Sequence, residues 1–138
     1  MSALDDDQIR EALRIAWLES QPNTTAAHEE GGFILRAENG SMHVERWPSG
    51  TGDTIDVPPH SDGRRGTSRI VATFHTHPNT GPEFLQEPSL TDIRAVRDDP
   101  DLGGVEYEGE FVVSREFVYR IRRNGDVEIY KRTDEVLG

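Results

Sequence analysis

Apolar residues recur every three or four positions between residues 5 and 20, where Ile9, Ala12, Leu13, Ala16 and Trp17 share one face. That period predicts an amphipathic helix. Asp5, Asp6 and Asp7 stand at its N-terminal end, where unpaired backbone N–H groups favour negative charge. After the polar connector "SQPNTTAAH", the segments "GGFILRA" and "MHVERW", joined through "ENGS", predict a β-hairpin that turns at Asn39-Gly40. Residues 48–67 are rich in Gly, Pro, Ser and Asp and keep no period, so they predict a long loop with a short extended piece at residues 54–57. The segment "SRIVATFHTH" predicts a strand, and "SLTDIRAVRDD" a helix that stops before Pro100. "EFVVSR", "EFVYRIRR" and "DVEIYKR" predict three more strands, the last two joined at Asn124-Gly125. The resulting order, α-β-β-loop-β-α-β-β-β, predicts a mixed α/β (α+β) single domain over residues 1–138.

Composition narrows what such a domain can do. With 138 residues the chain holds one core and is too short for a (β/α)8 barrel or a two-domain enzyme. It has no cysteine, which excludes disulfides, thiolate zinc sites and a thiol nucleophile. Acidic side chains number 26 against 15 basic ones, a formal charge of −11 that repels nucleic acid phosphates and anionic membranes. Lys131 is the single lysine beside fourteen arginines, which bears on solubility alone. The start "MSALDDDQ" carries acid where a signal peptide carries base, and no apolar run reaches the length of a membrane span, so the expected compartment is the cytoplasm.

The chemistry gathers in "TFHTHPNTGPEFLQEPSLTDI", residues 73–93. His75 and His77 lie two apart at the end of a predicted strand, so both imidazoles point to the same face and can converge on one ion. Zinc accepts neutral imidazole and carboxylate, and a catalytic zinc keeps three protein ligands and one open position. Asp92, in the first turn of the next helix, is the first candidate for the third ligand; Glu83 and Glu87, in the intervening loop, are its rivals. Ser89 and Asp92 also fit a capping box, whose simplest role is to start a helix. A serine nucleophile finds no support, since His28, His43 and His60 are scattered and no G-x-S-x-G context exists. His28 is expected on an exposed loop, a place lining the cleft being the alternative, and His43 and His60 at the surface.

Together, "HTHP" at a strand end and "SLTD" at a helix start resemble the JAMM motif (HxH…SxxD) of the MPN-positive metalloproteases, which include deubiquitinating isopeptidases and bacterial JAB-domain proteins. The family also carries an upstream glutamate in E-x-x-G-x-[LIM], and "EEGGFI", residues 29–34, is similar to it. Matching the motif glycine to Gly32 places the glutamate at Glu29, with Glu30 as the alternative. The resemblance spans residues 29–95 and departs from the family in the eleven residues, 78–88, between His77 and Ser89, a longer connection than usual.

The resemblance implies an MPN/JAB-like fold, a mainly antiparallel sheet flanked by helices with cytidine-deaminase-like layering. It implies zinc (Zn2+) on His75, His77 and Asp92 with an activated water as fourth ligand, Glu29 as general base and acid, and Ser89 as oxyanion donor. The implied reaction is hydrolysis of a peptide or isopeptide bond in a protein or peptide partner, such as the C-terminal tail of a ubiquitin-like or sulphur-carrier protein. The alternatives are a non-catalytic MPN-like binding module and a structural zinc closed by Glu83 or Glu87. Residues 48–67 and 78–88 are the expected substrate-contacting loops.

Overall fold

A computed structural model describes residues 2–79, 86–102, 104 and 106–138. Helix α1 (Asp7–Glu19) begins where Asp6 caps it, its side chain accepting from the N–H groups of Gln8 and Ile9. Ile9, Leu13 and Ala16 bury the predicted apolar face. Strands β1 (Gly31–Arg36) and β2 (Met42–Arg46) form the expected antiparallel hairpin. Its turn relies on Gly40 at φ +88, and the later hairpin turn relies on Gly125 at φ +94. In both turns the glycine alone takes the left-handed conformation, the mark of a type I turn followed by a glycine rather than a two-residue loop.

Strand β3 (Arg64–Arg65) is a short arm folded back on β4 (Ser68–Thr76), inside the expected long loop but away from the extended piece expected at residues 54–57. Two-residue strands leave no period in a sequence, and Asp62 and Gly63, both at positive φ, turn the chain into it. Residues 54–57 form no strand. Helix α2 (Leu90–Arg97) and strands β5 (Glu110–Val113), β6 (Phe117–Ile121) and β7 (Val127–Arg132) follow as expected. The chain then adds α3 (Thr133–Leu137), a five-residue helix too short to announce itself by periodicity.

The strands make a seven-stranded sheet ordered β2-β1-β4-β5-β6-β7, with β3 paired to β4 beside this path. All pairings are antiparallel except β4 with β5. This is a mixed α/β fold, a mostly antiparallel open sheet flanked by helices. Among the described residues no helix is long and apolar enough to cross a membrane.

Side-chain alternation divides the core into two layers. Ile34, Ala72, Phe74, Phe111 and Val113 face α1 and α3. Phe33, Leu35, Val112 and Ile121 face Val96 of α2, Leu102 and Trp47. The register slips between Ile34, opposite Ala72, and Leu35, opposite Ile70, so Val71 is the extra residue of a bulge. The slip lets Ile70 fill the α2-side core while Ala72 and Phe74 fill the other. Thr73 and His75, alternating with those two, therefore turn toward α2.

Gly31 lies opposite His75 and has no room for a side chain: a Cβ there would meet the Phe74 carbonyl oxygen at 2.6 Å and the Trp47 ring at 2.7 Å. Gly31→Ala is expected to cost about 1–3 kcal/mol by overpacking, read as a melting temperature lower by about 3–10 °C. An unchanged melting temperature would contradict this packing.

Candidate metal centre

The site forms where the end of β4, the start of α2 and the residues before β1 meet. Backbone pairing continues past the strands: the Thr76 N–H donates to the Glu30 carbonyl at 2.8 Å, and the His77 N–H to the Val113 carbonyl at 2.8 Å. His75 and His77 are buried, at 2% and 7% exposure, and their Nε2 atoms lie 3.1 Å apart. Asp92 reaches both, with Oδ1 3.4 Å from Nε2 of His75 and Oδ2 3.2 Å from Nε2 of His77.

The helix start aims that carboxylate. Ser89 is the N-cap of α2, its Oγ accepting from the Asp92 N–H at 3.1 Å while its own N–H donates to Asp92 Oδ2 at 2.8 Å. The capping box and the aspartate's place beside the histidines are thus one arrangement.

The other face of each imidazole meets an acceptor. Nδ1 of His77 faces the Gln86 carbonyl oxygen at 3.2 Å, and Nδ1 of His75 faces Oε2 of the buried Glu110 at 3.0 Å. With Nδ1 donating in both rings, both Nε2 atoms carry lone pairs. These lone pairs and the Asp92 oxygens then crowd one point, which calls for a proton or a cation. Ligands about 2.0–2.2 Å from a tetrahedral zinc lie about 3.3–3.6 Å from each other, close to the separations here, in which each Asp92 oxygen lies near a different histidine.

Without metal, protons fill the role. Burial alone lowers the basicity of His75, but the charge of Glu110 and the Asp92 hydrogen bond outweigh it and hold His75 well above its ordinary value. Burial would raise Asp92, yet hydrogen bonds from His75 and His77 overcome it and hold its carboxyl well below the usual range.

Parity separates the two glutamates. Glu29 faces the histidines, and Glu29, His75 and His77 form a buried group, each offering a ligand atom within 4.8 Å of the others, that could hold a metal ion. Burial pushes the Glu29 carboxyl up to about 7, against the pull of His75 and His77. Glu30 points to the opposite face, where it accepts from Arg46 at 2.6 Å and Ser49 at 2.5 Å and pairs with His28 at 2.6 Å. Those hydrogen bonds outweigh its burial and lower its carboxyl, and they leave it out of the site.

A cleft of about 360 Å³ opens on this group, lined by Glu29, Asp53, Ile55, Asn79 and Ser89 among others. The expected substrate loops contribute residues 52–55 and Asn79, whose Nδ2 donates to the Gly52 carbonyl at 2.6 Å and ties the two loops together. Of the rival ligands, Glu87 is exposed and Glu83 lies outside the described residues. His43 is exposed as expected. His28 is half-buried on Glu30, away from the cleft lining. His60 corrects the reading of a surface residue: its side chain is 9% exposed, it bonds Asp99 at 2.8 Å and its ring packs edge-on against Phe33. Glu110 was not foreseen: it opens the apolar run "EFVV", and nothing local ties it to His75.

Glutamic acid in an unfolded chain titrates near about 4.3, so the folded protein holds the Glu29 proton more tightly. Its contribution to stability is complete below about pH 4.3 and is lost as pH rises through about 7. With metal removed by chelation, Glu29→Gln and wild type are expected to match near pH 4, the variant becoming more stable by up to about 3 kcal/mol at pH 8. Urea midpoints measured across pH check this, and parallel pH profiles would contradict it.

Comparisons with protein-family models, with curated proteins and with solved structures found no match.

Proposed function

We propose that this protein is a zinc-dependent peptidase or isopeptidase of the JAMM, MPN-positive type. The observation that carries the reading is the convergence of two imidazole lone pairs and the Asp92 carboxylate, 3.1 to 3.4 Å apart, beside a buried Glu29 at the floor of a cleft. The order of elements supports an MPN/JAB-like domain, with the histidines closing β4 and the serine and aspartate opening α2.

His75, His77 and Asp92 would hold the ion. Zinc bound there supplies Lewis acidity, which acidifies water and polarises a carbonyl. Glu29, buried beside both histidines and lining the cleft, is placed to take a proton from water and return it to a leaving amine. The Ser89 hydroxyl accepts from the Asp92 N–H and keeps its own O–H to donate into the cleft, where an oxyanion would develop. The reaction is hydrolysis of an amide bond. Its substrate is a peptide or protein, the C-terminal tail of a ubiquitin-like or sulphur-carrier protein being the class the motif favours. A net charge of −11 disfavours nucleic acid and anionic membranes as partners.

The zinc-supplied protein is expected to cleave peptide- or isopeptide-linked fluorogenic substrates. Glu29→Gln should keep its zinc and lose on the order of 10²- to 10⁴-fold in kcat. Ser89→Ala should lose on the order of 10²- to 10³-fold in kcat and about 1 kcal/mol of stability with its cap. Zinc loss in Glu29→Gln would make that residue a ligand of a closed structural site. A wild type that holds zinc and cleaves no substrate in the panel would favour the non-catalytic module.

A further inference from the structure

Glu110 is a buried carboxylate to which the proposed reaction assigns nothing. It opens β5, is 5% exposed, and among the described residues its ion-pair partner is Nδ1 of His75 at 3.0 Å. Burying a carboxylate costs several kcal/mol unless a partner compensates it, and replacing a whole buried ion pair by apolar residues of similar volume is often neutral or stabilising. The next three residues, Phe111, Val112 and Val113, are fully buried and apolar, so the strand tolerates hydrophobic side chains at this depth. Core packing alone therefore gives no reason for an acid here.

The sheet topology does give one. β4 and β5 form the parallel pair, in which Thr73 stands opposite Glu110 and His75 opposite Val112. Alternation puts Glu110 on the face of Val112, the α2 face, which is also that of His75. The carboxylate is thus carried by a central strand and meets the back of the ring rather than the metal side.

We propose that Glu110 is a positioning residue of the metal centre: it takes the Nδ1–H of His75, fixes the ring's orientation, and commits Nε2 to the ion. This rests on the metal-centre reading above. The carboxylate accepts and cannot donate, so one tautomer is selected; it also makes the imidazole a stronger donor to a metal. His77 receives less, since its Nδ1 faces a neutral carbonyl at 3.2 Å on the loop residue Gln86. The two ligands are unequal, and His75 is the anchored one.

Long-range proton–nitrogen NMR of the metal-free wild type, taken to a pH at which the His75 spectrum is that of a neutral ring, reads the tautomer directly. The expected result is Nδ1–H for His75, and an Nε2–H tautomer would overturn the proposal. Zinc competition against a chromophoric chelator follows, with Glu110→Gln and Glu110→Leu beside the wild type. Both variants should bind zinc about 10- to 100-fold more weakly. The tautomer is the readout that a purely structural role would not move: Glu110→Leu should lose the Nδ1–H preference of His75, and a preference kept in that variant would overturn the proposal. Zinc affinities within about twofold of wild type would overturn the role of Glu110 while leaving the metal centre standing. A wild type that takes no zinc would remove both, and that failure is visible before any variant is compared.

Discussion

Lone pairs gathered among buried side chains repel one another unless something positive lies among them. The end of β4 and the start of α2 bring the Nε2 atoms of His75 and His77 to 3.1 Å from each other, with one Asp92 oxygen 3.4 Å from the first and the other 3.2 Å from the second. Backbone and carboxylate acceptors at both Nδ1 atoms keep the rings from turning their donors inward. The arrangement is costly for the protein alone and suited to a cation, and much of the fold can be understood as what holds it in place.

The sheet does so by parity. A period of two sends Ala72 and Phe74 into the α1 layer and Thr73 and His75 toward α2, and the bulge at Val71 keeps Ile70 in the α2-side core in spite of that split. The same alternation parts Glu29 from Glu30, one beside the histidines and the other in an arginine-centred network on the far face. Gly31, opposite His75, lets the Trp47 ring and the β4 backbone close over β1 at this point. The apolar layers supply the stability, and the polar side chains at the end of β4 draw on it.

Much of this was legible in the sequence, because it depends on short-range spacing. HxH on a strand gives one face, and SxxD at a helix start gives a carboxylate fixed to a cap; both follow from periods of two and of a helical turn. What the sequence hid depends on pairing across the sheet. The parallel register of β4 and β5 brings Glu110 to His75 across 35 positions of chain, and no local pattern encodes it. The same holds for His60, drawn under the α2 layer by Asp99, 39 residues away. β3 and α3 escaped for another reason: elements of two and five residues are shorter than the windows in which periodicity can be read. Motif spacing already favoured Glu29, three residues before Gly32, and the placed ladder adds that Glu30 faces the other way.

The measurement that bears most directly on the central claim is the zinc content of the purified protein, wild type beside His77→Ala, by elemental analysis. About one zinc per chain in the wild type, lost in the variant, is the predicted result for a three-ligand centre. A wild type that carries no metal, even after zinc is supplied and the excess removed, would contradict it.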